Sequence, residues 1–253
     1  MRRSFFVGSW KANKTLEEAK QYFKDFQNVS STFMHETVLC PSYIHMETAM
    51  NMMPATVKLG AQDVSQYPSG PYTGEISASM LASMGVKYCI VGHVDRRKDG
   101  ETDEQINKKI KQLIAAGISP IVCFGETMVD YENNMTQMVI DNQMKICLAG
   151  VTDISKLILC YQPIWSVGTG YYTAGDYTNI IADYMRKHIV KITGNPMSAN
   201  TTILYGGQIT VGNVREYMDQ PEIDGVMFAV AAMDVNDFAA VVTSKFTIKK
   251  YSQ

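Results

Sequence analysis

The chain has 253 residues, of which 46% are hydrophobic and 19% charged, and its formal net charge is −2. This length suits one globular domain with a sizeable core, and so small a charge creates no field that attracts nucleic acid or an anionic membrane. No apolar run approaches the ~20 residues of a membrane span, and the apolar stretch after Arg2 and Arg3 is too short for a signal peptide. We therefore expect a cytoplasmic protein without nucleic-acid or membrane partners.

The cysteines and histidines indicate no metal or redox site. The five cysteines form no CxxC pair, and four of them end or interrupt apolar runs, so we expect buried, reduced thiols. The four histidines lack the spacing of metal ligands. The Gly-Thr-Gly at residues 168–170 lacks the third glycine of a dinucleotide-binding loop. We expect neither a metal nor another cofactor.

Short apolar runs alternate with helical patterns along the chain. Strands are predicted at residues 5–9, 37–40, 57–61, 88–92, 120–124, 157–162, 201–205 and 225–229. Thr15, followed three residues later by Glu18, has the pattern of a capping box and predicts the start of a helix. Helical periodicity also covers residues 103–115 and 176–192. Eight such units predict an α/β fold whose parallel sheet closes into a single-domain (β/α)8 barrel over residues 1–253.

Methionine is abundant, with 17 residues. Met46, Met50 and Met53 have helical spacing, which is typical of core filling on a helix face or of a flexible groove for a partner. We expect core filling.

The segment CYQPIWSVGTG at residues 160–170 has the construction of a strand followed by an active-site lid. One polar side chain, Gln162, stands at the end of the apolar run, and Pro163 stops the strand because it fixes φ. Two bulky residues follow as anchors, and the glycines at 168 and 170 permit positive φ. The segment therefore predicts a polar group delivered to a site, with a hinged loop beside it.

This segment resembles the catalytic strand and lid of the triosephosphate isomerase family, whose pattern is Tyr-Glu-Pro-x-Trp-x-x-Gly-Thr-Gly. The resemblance runs nearly end to end. It implies a TIM barrel that interconverts dihydroxyacetone phosphate and glyceraldehyde 3-phosphate at the carboxyl ends of its strands, with Gly168, Thr169 and Gly170 in the lid.

The family's catalytic base is a glutamate, and this chain has Gln162 in its place. A carboxamide has no basic lone pair at a useful pKa, whereas general-base catalysis contributes ~10²–10⁴ in rate. We favour a structural interpretation of Gln162, as a polar residue hydrogen-bonded at a strand end.

The first predicted strand ends in Ser9-Trp-Lys11, where the family has Asn-x-Lys. The resemblance assigns Lys11 to the neutralisation of substrate phosphate, and the family's asparagine, which helps to hold the site geometry, has become Ser9. A solvated lysine at a strand end remains the alternative.

The fourth predicted strand ends at His93, where the family keeps a neutral imidazole as electrophile. The family's next two residues, serine and glutamate, are here Val94 and Asp95. Asp95 is expected to form a structural ion pair with Arg96 or Arg97.

The family binds phosphate at the ends of the seventh and eighth strands. Its serine after Tyr-Gly-Gly is here Gln208, and its two glycines after the eighth strand are Ala229 and Val230. Glycine lets backbone N–H groups approach a phosphate without a Cβ in the way. We therefore expect weak phosphate binding.

The segment at residues 61–75 is too long for a simple strand-to-helix connection. It resembles the family's dimer loop, which inserts its tip, here near Tyr72 and Gly74, into the partner subunit. This implies a homodimer, and a surface loop is the alternative.

Three functions remain open. In the first, the chain is a family member that has lost most or all isomerase activity and acts as a non-catalytic binding or assembly protein. An unidentified small molecule is one option for its ligand. Alternatively it is a weak or altered sugar-phosphate isomerase, or an ordinary glycolytic isomerase. The first is favoured because the changes are spread over five strand ends.

Overall fold

The computed structural model describes residues 4–246. The described part leaves out residues 1–3, which hold the basic start of the chain, and residues 247–253. Both ranges belong to the predicted domain. Eight parallel strands close into a barrel in chain order, with β1 paired to β8. The strands are β1 (Phe5–Ser9), β2 (Glu36–Cys40), β3 (Val57–Ala61), β4 (Tyr88–Val91), β5 (Ser119–Phe124), β6 (Ile158–Tyr161), β7 (Thr202–Tyr205) and β8 (Gly225–Phe228). The predicted single-domain (β/α)8 TIM barrel is confirmed.

Helices follow the strands and cover the outside of the barrel. They are α1 (Leu16–Val29), α2 (Met46–Met52), α3 (Ala78–Ser83), α4 (Val94–Lys98), α5 (Asp103–Ala115), α6 (Met128–Glu132), α7 (Thr136–Cys147), α8 (Gly175–Thr193), α9 (Val214–Met218) and α10 (Val235–Val242). The predicted capping box is present: the Thr15 hydroxyl accepts from the Glu18 N–H, and the Glu18 carboxylate accepts from the Thr15 N–H. None of the helices within residues 4–246 has the length and apolarity needed to cross a bilayer.

The strands bury side chains on both faces, which explains their continuous apolar runs. One core fills the barrel and includes Val7, Cys160 and Met227, while a larger core lies between strands and helices. Side chains alternate between the two faces with a period of two. The inward series therefore continues to Ser9 at the end of β1, and to Gln162 and Ala229 one residue past the ends of β6 and β8. The same alternation that builds the core carries these residues into the mouth of the barrel.

The methionine prediction is only partly correct. Met46 is buried and Met53 packs against the outer core, but Met50 is half exposed. Met50 lies on the side of α2 that faces away from the barrel. The cysteine prediction is confirmed, because Cys40, Cys89, Cys123, Cys147 and Cys160 are all buried and free of disulfides.

Candidate functional site

A cavity of about 390 Å³ opens at the carboxyl ends of the strands. Its volume lies within the ~300–1,000 Å³ usual for small-molecule sites. Nearly all the residues singled out from the sequence line it, although they come from distant parts of the chain. These are Ser9, Lys11, His93, Gln162, Gly168, Gly170, Gln208, Ala229 and Val230.

Gln162 is buried and is hydrogen-bonded at both ends of its carboxamide. Its Oε1 accepts from the backbone N–H of Val94 at 2.9 Å, and its Nε2 donates to the carbonyl oxygen of Gly206 at 3.2 Å. A carboxylate in this position would place a negative oxygen against that carbonyl, with no proton between them. The pair of partners therefore fits an amide and disfavours an ionised acid.

His93 is buried at the N-terminus of α4, and its imidazole is electrically neutral at neutral pH. Burial lowers the pKa of His93 to about 4, with Asp95 opposing and Lys11 reinforcing the shift. Its Nδ1 accepts from the backbone N–H of Asp95 at 3.1 Å. Because a neutral imidazole carries one proton, that proton is on Nε2. His93 can thus donate one hydrogen bond.

Lys11 lies in the left-handed backbone region, with φ of 52°, which is uncommon for a residue with a Cβ. Gln62 supports this geometry, because its Nε2 donates to the carbonyl oxygens of Lys11 and Cys40 at 3.0 and 3.1 Å. The backbone thereby directs the Lys11 ammonium across the barrel mouth. It pairs there with the Asp95 carboxylate at 2.8 Å.

The predicted pairing of Asp95 with Arg96 or Arg97 is wrong. The Arg97 guanidinium forms an ion pair with the Asp103 carboxylate at 2.7 Å, and Arg96 pairs with Asp63 and Asp99. Neighbours in sequence diverge here because residues 94–98 form α4, whose consecutive side chains point in different directions.

The segment after Gln162 has the backbone of a hinged loop. Gly168 and Gly170 have φ of 75° and 86°, the region that favours glycine. Between them, the Thr169 hydroxyl donates to the carbonyl oxygen of Trp165 at 2.7 Å. All three residues of this Gly-Thr-Gly are exposed. Their predicted role in ligand binding stays a prediction.

Glu126 was not singled out from the sequence, yet it anchors the lid. Its fully buried carboxylate accepts from the Tyr161 hydroxyl and the Trp165 Nε1–H, both at 3.0 Å. Burial raises the pKa of Glu126, and the hydrogen bonds from its partners oppose that rise. The sequence did hold a signal for this residue, because Glu126 lies two residues beyond the end of the apolar strand β5.

The region where the family binds phosphate is mostly apolar in this chain, with Gln208 as its polar side chain. Ala229 is half-buried, and Val230 is 72% exposed and begins a short 3-10 turn at the cavity mouth. Gln208 is half-buried on the adjoining wall. Among residues 4–246, no cluster of three or more His, Cys, Asp or Glu side chains is arranged to hold a metal ion.

The long segment after β3 presents an exposed tip. Tyr72 stacks on Tyr67 with ring centroids 3.7 Å apart, and residues 71–75 are exposed. A second cleft of about 540 Å³ lies on the other side of Lys11 and His93, lined also by Tyr43 and Asp95.

The fold and the cavity together define a (β/α)8 barrel whose polar groups are collected at the carboxyl ends of the strands. The family model for triosephosphate isomerase matches residues 4–245. Triosephosphate isomerases of Clostridium botulinum (strain Loch Maree) and Alkaliphilus metalliredigens are each 35% identical to this chain over 246 residues, 96% of the chain and 99% of each relative. That of Clostridium beijerinckii is 33% identical over the same length. The chain belongs to the triosephosphate isomerase family.

Proposed function

We propose that this family member has lost most or all isomerase activity and acts as a non-catalytic binding protein. The observation that carries the proposal is the double hydrogen bonding of Gln162, at the position of the family's base, by Val94 and Gly206. The amide holds no proton-accepting lone pair toward the cavity. Its buried partners also favour an amide over a carboxylate, so the surroundings match the substitution.

The apolar residues at the end of β8 support the same proposal. Two backbone N–H groups that approach a phosphate provide hydrogen bonds of ~1.5–3 kcal/mol each. The Cβ atoms of Ala229 and Val230 obstruct that approach. A loss of both bonds lowers phosphate-ligand affinity by roughly 10²–10⁴-fold.

A weak or altered isomerase is the second candidate, and one observation favours it. Lys11 and the neutral His93 still line the cavity, and in the family the lysine neutralises substrate phosphate while the histidine acts as electrophile. An isomerase of this kind needs a base other than Gln162, and Glu126 is enclosed beneath the lid instead of lining the cavity.

We also propose a cytoplasmic homodimer. The exposed tip at residues 71–75 and the cleft beside Lys11 support the dimer, because each copy offers a projecting loop and a concave surface, which Gly74 and Glu75 of the same loop help to line. Five free, buried cysteines support a reducing compartment.

The proposal is tested by a coupled assay with glyceraldehyde 3-phosphate. We expect a kcat/KM at least 10³-fold below that of the Clostridium botulinum relative, measured in the same assay. A value within tenfold of the relative would overturn the proposal. Crystals soaked with a phosphoglycolate-type analogue provide an independent check, and we expect no anion beside Ala229.

A further inference from the structure

The cavity at the barrel mouth has two chemically different walls. One wall is polar and contains Lys11, His93 and Gln162. The other is mostly apolar and comes from the ends of β7 and β8 and the lid, with Gln208 as its one polar side chain. Its apolar side chains are those of Val167, Ile209, Met227, Phe228, Ala229, Val230 and Met233. A ligand that fits both walls has a polar head and a hydrocarbon body.

The charge of the cavity limits the head group. Lys11 is the only residue with a formal charge among the described residues that line it. Its partner Asp95 lines the neighbouring cleft instead. Because Lys11 shares its charge with Asp95 at 2.8 Å, the cavity matches at most a monoanion. A phosphate dianion would lack a second positive group here, and the Cβ atoms of Ala229 and Val230 would stand in its way.

The hydrogen-bond donors limit the head group further. The Lys11 ammonium has three N–H donors, of which one meets Asp95 at 2.8 Å. His93 donates from Nε2, because its Nδ1 is occupied as an acceptor. Two donors on one wall match the two oxygens of a carboxylate.

The apolar wall determines which hydrocarbon part of a ligand the cavity can bind. Ile209 and Met227 are buried, and Val230 is exposed at the mouth. Methionine adapts its shape to a flexible chain, and Met227 and Met233 both lie on this wall. Each methylene buried there contributes about 0.8 kcal/mol, or about a fourfold gain in affinity.

We propose that the cavity binds short-chain monocarboxylic acids, with the carboxylate at Lys11 and His93 and the hydrocarbon chain along Val230 and Met233. This inference rests on the proposed loss of phosphate binding and names the ligand class of the same site. It requires no covalent or redox step.

The test is an NMR titration of the full-length protein with acetate, butyrate and hexanoate, compared with 1-hexanol and glycerol 3-phosphate. We expect affinity to rise about fourfold per added methylene and hexanoate to bind at least tenfold more tightly than 1-hexanol. Lys11→Met should weaken hexanoate binding by about 10- to 150-fold and leave 1-hexanol within twofold.

Two further variants test the apolar wall. Val230→Asn should weaken hexanoate binding and leave acetate within twofold, because only the longer chain reaches that residue. Val129→Asn is the matched control, since Val129 is also exposed but lies on α6, outside the cavity. Equal losses in the two variants would show non-specific surface binding and overturn the inference.

The coupled assay on the same preparation separates the two proposals. Absence of both turnover and hexanoate binding would overturn the ligand class alone. Turnover near that of the relative, with glycerol 3-phosphate bound more tightly than hexanoate, would overturn both.

Discussion

At the scale of single residues, the surroundings of Gln162 decide what its replacement can achieve. Gln162→Glu restores the family's base but sets a carboxylate against the Gly206 carbonyl oxygen. We predict that this variant alone leaves kcat/KM at least 10²-fold below that of the clostridial relative. A buried acceptor facing another acceptor costs about 1–3 kcal/mol, so the midpoint of urea unfolding should also fall.

The end of the cavity at Ala229 and Val230, called here the phosphate end, provides a variant that complements Gln162→Glu. Ala229→Gly combined with Val230→Gly should recover up to ~3–6 kcal/mol of phosphate-analogue binding with little turnover. The three changes lie in one site, so their effects need not be additive, and we expect the gain in kcat/KM of the triple variant to exceed the separate gains added as free energies. If Gln162→Glu alone recovers most of the activity in the coupled assay, the phosphate end is functional and our interpretation of Ala229 and Val230 is wrong.

His93 gives a prediction about pH. Burial lowers its pKa to about 4 in the folded state, against ~6.5 in an unfolded chain. Between these values the unfolded state binds more protons, so stability rises with pH from 4 to 6.5 and His93 contributes no pH dependence above that window. The loss at the acid end is at most about 3 kcal/mol.

Urea unfolding of the wild-type protein and of His93→Gln, from pH 4 to 8, measures this contribution. The variant should show a flatter profile below pH 6.5, since glutamine does not titrate. An NMR titration that placed the His93 pKa above 6 would contradict the expected neutral, buried ring.

At the scale of secondary-structure elements, the strands were predictable because burial on both faces leaves continuous apolar runs. Residues 5–9 and 57–61 were predicted with the bounds that the structure has. Where bounds differ, as at residue 92, the strand ends early because Gly92 adopts a φ of 67°. The residues that line the cavity could be predicted from the motifs at the strand ends.

The contacts among these positions did not follow from the sequence. The pairing of Lys11 with Asp95 depends on a left-handed backbone at Lys11 and on the turn of α4, neither of which has a local sequence signal. Glu126 was missed for a similar reason, since its partners Tyr161 and Trp165 lie more than 30 residues away.

The lid anchor can be tested directly. Trp165→Phe removes one donor to the buried Glu126 carboxylate, so we expect unfolding free energy to fall by about 1–3 kcal/mol and proteolysis within residues 166–172 to accelerate. Tyr172→Phe, on the same loop with a side chain 55% exposed, should change both by little. Equal behaviour of the two variants would show that the bond to Glu126 does not hold the lid.

At the scale of the whole molecule, the exposed tip and the cleft beside Lys11 are unused surfaces within a single chain. A homodimer would place the tip of one copy in the cleft of the other, against the side of Lys11 and Asp95 that faces away from the ligand cavity. The site in each copy would then depend on its partner, which links assembly to ligand binding.

The proposed assembly depends on the exposed tip of the loop at residues 61–75. Thr73→Arg adds a long, charged side chain at the exposed tip, and its burial in a closed interface is unfavourable because the charge loses its water. We expect the wild-type protein to be a dimer by light scattering at tens of micromolar, and Thr73→Arg to be largely monomeric. Thr152→Arg introduces the same side chain at another exposed loop position and should remain dimeric. A wild-type monomer under these conditions would show that residues 61–75 form only a surface loop.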